Sequence, residues 1–163
     1  MCLSVAISRP DCVLAKGEHL GFEWQVVHND GGYRCGYVRV PKGHPWHGVE
    51  TMEQPVDVHG GCTFSQPDTD CGKGDDDAWW VGFDCAHAWD ARDPDLPNNR
   101  GWTSTDFVDG VVRSQSYVES ECRRLCEQAN DAASGKWVCP ECDGTTESAF
   151  ERCDDCIVQP SST

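Results

Sequence analysis

Two groups of residues in this 163-residue chain have the types and spacing to do chemistry. Near the C-terminus, Cys139-Pro-Glu-Cys142 is followed, after ten residues, by Cys153-Asp-Asp-Cys156. Each CxxC pair folds into a tight knuckle that offers two thiolates. The loop between them lets the knuckles face each other around a tetrahedral ion. Pro140 stiffens the first knuckle, and Gly144 supplies the positive φ such turns often need. Four thiolates close the coordination sphere, so the expected Zn(2+) is structural and catalyses nothing. Spacing does not distinguish zinc from iron at such a site. In the body of the chain, His59 precedes Gly60-Gly61, and Asp84, His87 and Asp90 recur at every third residue. On one helical or 3₁₀ turn that spacing sets three polar groups along a single edge. The paired glycines let a ligand approach backbone N–H donors.

If neighbouring strands bring these segments together, His59, Asp84, His87 and Asp90 form a pocket of two imidazoles and two carboxylates. Such a pocket moves a proton near neutral pH. It also suits a hard divalent ion held through Asp84, Asp90 and a histidine. The same residues equally suit a structural network, with the carboxylates satisfying backbone donors and the histidines as their partners. His44 and His47, in the loop Lys42-Gly43-His44-Pro45-Trp46-His47-Gly48, read more simply as packed loop residues than as a ligand pair.

The elements that must position these groups follow from hydrophobic periodicity. Phe22–His28 alternates, with Phe22, Trp24, Val26 and His28 on one face, which predicts a half-buried strand. Asn29-Asp30-Gly31-Gly32 is the composition of a tight hairpin turn, and residues 33–40 form the return strand ended by Pro41. Residues 56–64 read as a further strand with a bulge at the glycine pair, 65–77 as an acidic loop, and 79–85 as an apolar strand. Adjacent strand residues face opposite ways, so one of Trp79 and Trp80 is expected to be exposed or to line a second surface. Trp46, Trp89 and Trp102 fall in loops beside the polar cluster, and an exposed indole there is a platform for a planar base. Ser116 and Glu119 have capping-box spacing. Val118, Cys122, Leu125, Cys126 and Ala129 then form one apolar stripe, predicting a helix over 117–130. The expected class is α+β: an antiparallel sheet packed by one C-terminal amphipathic helix, with a small four-Cys zinc-ribbon-like appendage. Residues 1–134 form the core domain, 135–158 the zinc module and 159–163 a polar tail.

Twenty-eight acids against thirteen bases give a formal charge of -15. That surface repels nucleic-acid backbones, and no basic patch offsets it. Acidity keeps a small protein soluble; its sharper reading is mimicry that occupies a basic partner. Twelve cysteines would fit a secreted, disulfide-stapled scaffold. Residues 1–10 argue otherwise, because a basic n-region is lacking and Arg9, Pro10 and Asp11 interrupt the apolar stretch. No apolar run reaches the roughly eighteen residues of a membrane span. Cys2, Cys12, Cys35, Cys62, Cys71 and Cys85 are therefore expected as reduced thiols, with Cys62 and Cys71 able to clip the loop between them if oxidised.

Three segments together carry a resemblance. Gly36-Tyr37-Val38-Arg39-Val40-Pro41-Lys42-Gly43-His44-Pro45, Val58-His59-Gly60-Gly61-Cys62-Thr63-Phe64, and Trp80-Val81-Gly82-Phe83-Asp84-Cys85-Ala86-His87 with Asp90 resemble a group of small phage and prophage proteins. The likeness spans about residues 21–130 and leaves out the four-Cys tail. It implies a phage origin and a soluble protein in the cytoplasm of the infected host cell, without supplying a reaction. By analogy, small phage accessory proteins act against host defences. The expected function is an anti-defence protein that binds a nucleotide-like small ligand in the His/Asp pocket, and in a hydrolytic version cleaves it. The alternative is an acidic, zinc-stabilised interaction protein that inhibits a host defence protein and has no small-molecule site. The net charge hinders an anionic ligand at long range, so Arg34, Arg39, Lys42 and Arg92 are the expected local cations.

Overall fold

The computed structural model describes residues 11–68, 77–97 and 110–135, with the backbone of 137–138 and 145–146. Strands β1 (Val13–His19), β2 (Phe22–His28), β3 (Arg34–Val40), β4 (Phe64–Pro67) and β5 (Trp79–Asp84) form one sheet in the order β1-β2-β3-β5-β4. Every pairing in it is antiparallel. Two short strands, β6 (Asp90–Ala91) and β7 (Val111–Val112), pair in parallel and lead into helix α1 (Gln115–Ala133). Beyond the helix, β8 (Trp137–Val138) pairs antiparallel with β9 (Thr145–Thr146). The α+β class, an antiparallel sheet with one C-terminal helix, is as the periodicity predicts.

The β2–β3 turn is fastened by Asn29, whose Oδ1 accepts from the N–H of Gly31 and of Tyr33 at 2.9 and 3.1 Å. Helix α1 lays its predicted stripe, Val118, Cys122, Leu125, Cys126 and Ala129, against Phe22, Trp24, Val26, Val38, Val81 and Phe83; all five stripe residues are fully buried. Gly36 makes this approach possible. A Cβ there would sit 2.5 Å from the Phe83 ring and 2.7 Å from Cys122 Sγ, so the helix could not seat over a larger residue. Truncating Leu125 in such a core costs about 2–5 kcal/mol.

Three sequence expectations need correction. Residues 56–64 are not a strand. One 3₁₀ turn (Thr51–Glu53) leads into irregular chain, and β4 begins only at Phe64. Gly60 and Gly61 both have positive φ, +68° and +84°, which no extended ladder continues, and Gly61 N–H closes the turn onto Val58 O. The backbone N–H groups of this segment go to the helix instead: Asp57 N–H to Gln128 Oε1 and His59 N–H to Glu121 Oε2, each at 2.8 Å. The helix also starts earlier than the capping-box spacing suggests. Ser114, not Ser116, is the N-cap, its Oγ accepting from Tyr117 N–H at 3.2 Å. Trp79 and Trp80 do part to opposite sides, yet neither is open. Trp79 is half-buried against the core with its Nε1 donating to Ser65 Oγ, and Trp80 is 5% exposed on the other face. Cys62 is, as expected, a free thiol, and it donates to Phe64 O.

Cys71, Trp102 and the four cysteines Cys139, Cys142, Cys153 and Cys156 lie outside the described residues. Among the described residues no helix is long and apolar enough to cross a membrane.

Candidate functional site

The site is built where the Val58–Gly61 turn, the β5–β6 connection and the first turns of α1 meet. β5 ends at Asp84, whose Oδ1 accepts the Ala86 N–H at 2.9 Å and so turns the chain out of the sheet. The turn closes with Asp90 N–H donating to His87 O, and Asp90 enters β6 with its side chain wholly buried.

Asp90 is the hub. Its Oδ2 accepts from His59 Nε2 at 2.8 Å, from His87 Nδ1 at 3.2 Å and from the His87 backbone N–H at 3.1 Å. Its Oδ1 accepts from Arg113 Nε at 2.8 Å. Burial works against the charge on this carboxyl, but the donors from Arg113, His59 and His87 outweigh it and hold the pKa below the usual aspartate range. The same bond raises the pKa of Arg113. The Cys85 thiol is pushed far up, first by burial and then by the Asp90 charge, so it is no nucleophile.

His59 is held at both ring nitrogens. Nε2 faces Asp90, and Nδ1 lies 3.0 Å from the Tyr117 hydroxyl. With Nε2–H donating to the carboxylate, the neutral ring accepts at Nδ1 from Tyr117. Glu121, one turn further along α1, anchors the backbone of His59. Burial and then the Glu121 charge raise the Tyr117 pKa, so the hydroxyl stays protonated and able to donate.

His87 is different. Its Nδ1 faces Asp90, while Nε2 has no hydrogen-bond partner among the described residues. The ring is half-buried and lies flat on Trp89, centroids 5.0 Å apart and planes 7° apart. The indole is 54% exposed. Beneath the imidazole sits Gly60, where a Cβ would come within 2.0 Å of His87 Cε1. The glycine pair therefore serves both the turn and the seating of His87.

Of the four residues singled out by spacing, three converge. His59 and His87 have ring centroids 5.3 Å apart, within the reach that shared proton chemistry demands, and both contact Asp90. Asp84 does not join them; it shapes the turn that presents His87 and Asp90. The expected cations are engaged with other partners: Arg34 pairs with Asp93 and donates to Arg113 O at 2.9 Å, Arg39 pairs with Asp68 and Lys42 with Asp77, while Arg92 lies over Tyr33. Arg113, which sequence reasoning passed over, is the cation at the hub. It precedes the N-cap in a segment with no periodicity, so only the fold reveals it. Tyr117 and Glu121 had a faint signal, since their i, i+4 spacing borders the apolar stripe.

His44 and His47 are packed loop residues. His44 Nε2–H donates to Ala129 O in α1 at 2.9 Å, and its Nδ1 accepts from Trp46 N–H at 3.1 Å. His47 Nε2 reaches Asp77 O at 2.8 Å. The Asp90 cluster combines an oriented imidazole, an open ring nitrogen and an exposed indole. No known family model, curated protein or solved structure matches the chain.

Proposed function

We propose that the chain is a small accessory protein of the phage anti-defence type that binds, and in a hydrolytic version cleaves, a nucleotide-like small ligand at the Asp90 cluster. The observation that carries this reading is the His87–Trp89 stack. A planar base can extend that stack on the exposed indole, where aromatic contact contributes about 0.5–1.5 kcal/mol beyond area burial. His87 Nε2 then meets the ligand as hydrogen-bond partner or as acid–base group, and Asp90 fixes the tautomer and orientation of the ring. His59, Arg113 and Tyr117 position Asp90 rather than touch the ligand.

A structural four-thiolate zinc at Cys139, Cys142, Cys153 and Cys156 belongs to the same proposal. Its support is the spacing of the two CxxC pairs, the first of which falls in sequence between the paired strands β8 and β9. The acidic surface favours a second reading, a protein inhibitor that occupies a basic partner. Thermal shift and mass spectrometry against cyclic and ADP-ribose-type nucleotides separate the two. The small-ligand reading expects stabilisation or breakdown that His87→Ala removes. No response to any nucleotide, with a host protein recovered on the chain, supports the inhibitor.

A further inference from the structure

We propose that His59, His87 and Asp90 form a binding site for a divalent transition-metal ion of the zinc or manganese class, through His59 Nε2, His87 Nδ1 and Asp90 Oδ2. The three residues come from two separate stretches of chain, and one ligand atom from each lies within 4.8 Å of the others. Two of the separations, 2.8 and 3.2 Å, suit ligands that each sit about 2.1 Å from one ion. Two imidazoles and a carboxylate favour a first-row transition metal over magnesium or calcium, which prefer all-oxygen shells.

Two further features point to an ion. Asp90 Oδ2 has three N–H donors aimed at it and only two lone-pair directions, so as a pure hydrogen-bond acceptor it is oversubscribed. An ion between the ring nitrogens and Oδ2 removes two of those donors without changing the charge of either ring. The proton of His59 moves to Nδ1, where the Tyr117 hydroxyl accepts it, and that of His87 moves to Nε2 on the ligand side. The outer partners such a site requires are also in place: Tyr117 on the far nitrogen of His59, and Arg113 on the far oxygen of Asp90. Three protein ligands leave coordination positions open for water or substrate, unlike a four-thiolate site.

The ion also answers an electrostatic difficulty. Asp90 and Glu121 bring two negative charges to the pocket and Arg113 one positive charge, on a chain whose net charge is -15. An anionic ligand meets no net attraction there, whereas a bound dication reverses the local sign. This link to a phosphate-bearing ligand rests on the function proposed above; the metal site itself does not.

The test is metal stoichiometry on the full chain, by titration with Co²⁺ and by elemental analysis after equilibration with Zn²⁺. Wild-type protein should bind two ions. Cys139→Ser/Cys142→Ser should keep one, with Co²⁺ giving d–d absorption but no thiolate charge-transfer band. His87→Ala should keep only the thiolate ion, with far-ultraviolet circular dichroism unchanged; His87→Gln serves if the alanine variant is unstable. Tyr117→Phe should weaken the non-thiolate ion about tenfold. A wild-type chain that binds a single, thiolate-ligated ion overturns the proposal, as does a second ion indifferent to both His87→Ala and His59→Ala. Nucleotide binding without a second ion defeats the metal site and leaves the ligand reading intact. A second ion with no nucleotide binding does the reverse.

Discussion

His59 and Asp90 stand 31 positions apart in the chain, yet Nε2 of one lies 2.8 Å from Oδ2 of the other, with side chains 5% and 0% exposed. A contact so buried is either fully satisfied or very costly, and here both residues have their remaining polar atoms engaged. That pair joins the glycine turn to β6, and Arg113 and Tyr117 tie both to the start of α1. The site and the packing of the helix on the sheet are thus parts of one network.

Removing the hub should therefore be severe. Asp90→Ala leaves the donors of Arg113 and both histidines without their acceptor, and the expected loss is about 3–5 kcal/mol. The exposed pair Arg124–Asp57 is the internal control. Arg124→Ala should cost about 1 kcal/mol or less. Urea denaturation of the two variants reads the difference directly; similar midpoints would mean that Asp90 does not organise the site.

Gly60→Ala should separate site from fold. The added Cβ falls within 2.0 Å of His87 Cε1, and the positive φ costs an L-residue about 1–2 kcal/mol. The expected result is a folded protein with a modestly lower denaturation midpoint and no nucleotide response. Gly43→Ala also replaces a positive-φ glycine, but in open space, and should leave the response intact.

His44 predicts a pH dependence. Burial holds its pKa below 6.5, and Nδ1 can accept from Trp46 N–H only in the neutral ring, whereas the Nε2–H bond to Ala129 O survives protonation and partly offsets the shift. The unfolded chain takes up the proton first as pH falls, so this contribution is complete above about pH 6.5 and is lost as pH drops through the folded-state value. Stability measured between pH 7.5 and pH 5 should decline for wild type, and the His44→Gln profile should be flatter by that amount. Parallel profiles would remove His44 from the account.

The legibility of this chain in its sequence was uneven. β2 and the apolar stripe of α1 carry period-two and 3.6-residue signals because one face of each is buried against the core, whereas β3 follows from the turn before it and β5 from a continuous apolar run buried on both faces. The Val58–Gly61 turn carries no such signal, since helix side chains rather than a neighbouring strand satisfy the N–H groups of Asp57 and His59. The threefold spacing of Asp84, His87 and Asp90 located the right turn but overcounted its chemistry. Asp84 spends its carboxylate on a backbone N–H, whereas Arg113, more than twenty positions away, supplies the charge partner.

For the C-terminal module, chelation or Cys139→Ser should loosen residues 135–158 and spare the sheet. Hydrogen exchange should rise in that segment while β2, β3 and α1 stay protected. Global unfolding on chelation would mean that the two regions fold as one unit.

The central claim is that His87, anchored on Asp90 and stacked on Trp89, meets a nucleotide-like ligand. Equilibrium titration of the full chain with the nucleotide that stabilises it most tests this directly. The account predicts that His87→Ala and Trp89→Ala each weaken binding at least about tenfold, or about 1.4 kcal/mol, with the fold retained. Affinity unchanged in both variants, or no binding by any cyclic or ADP-ribose-type nucleotide, would contradict it.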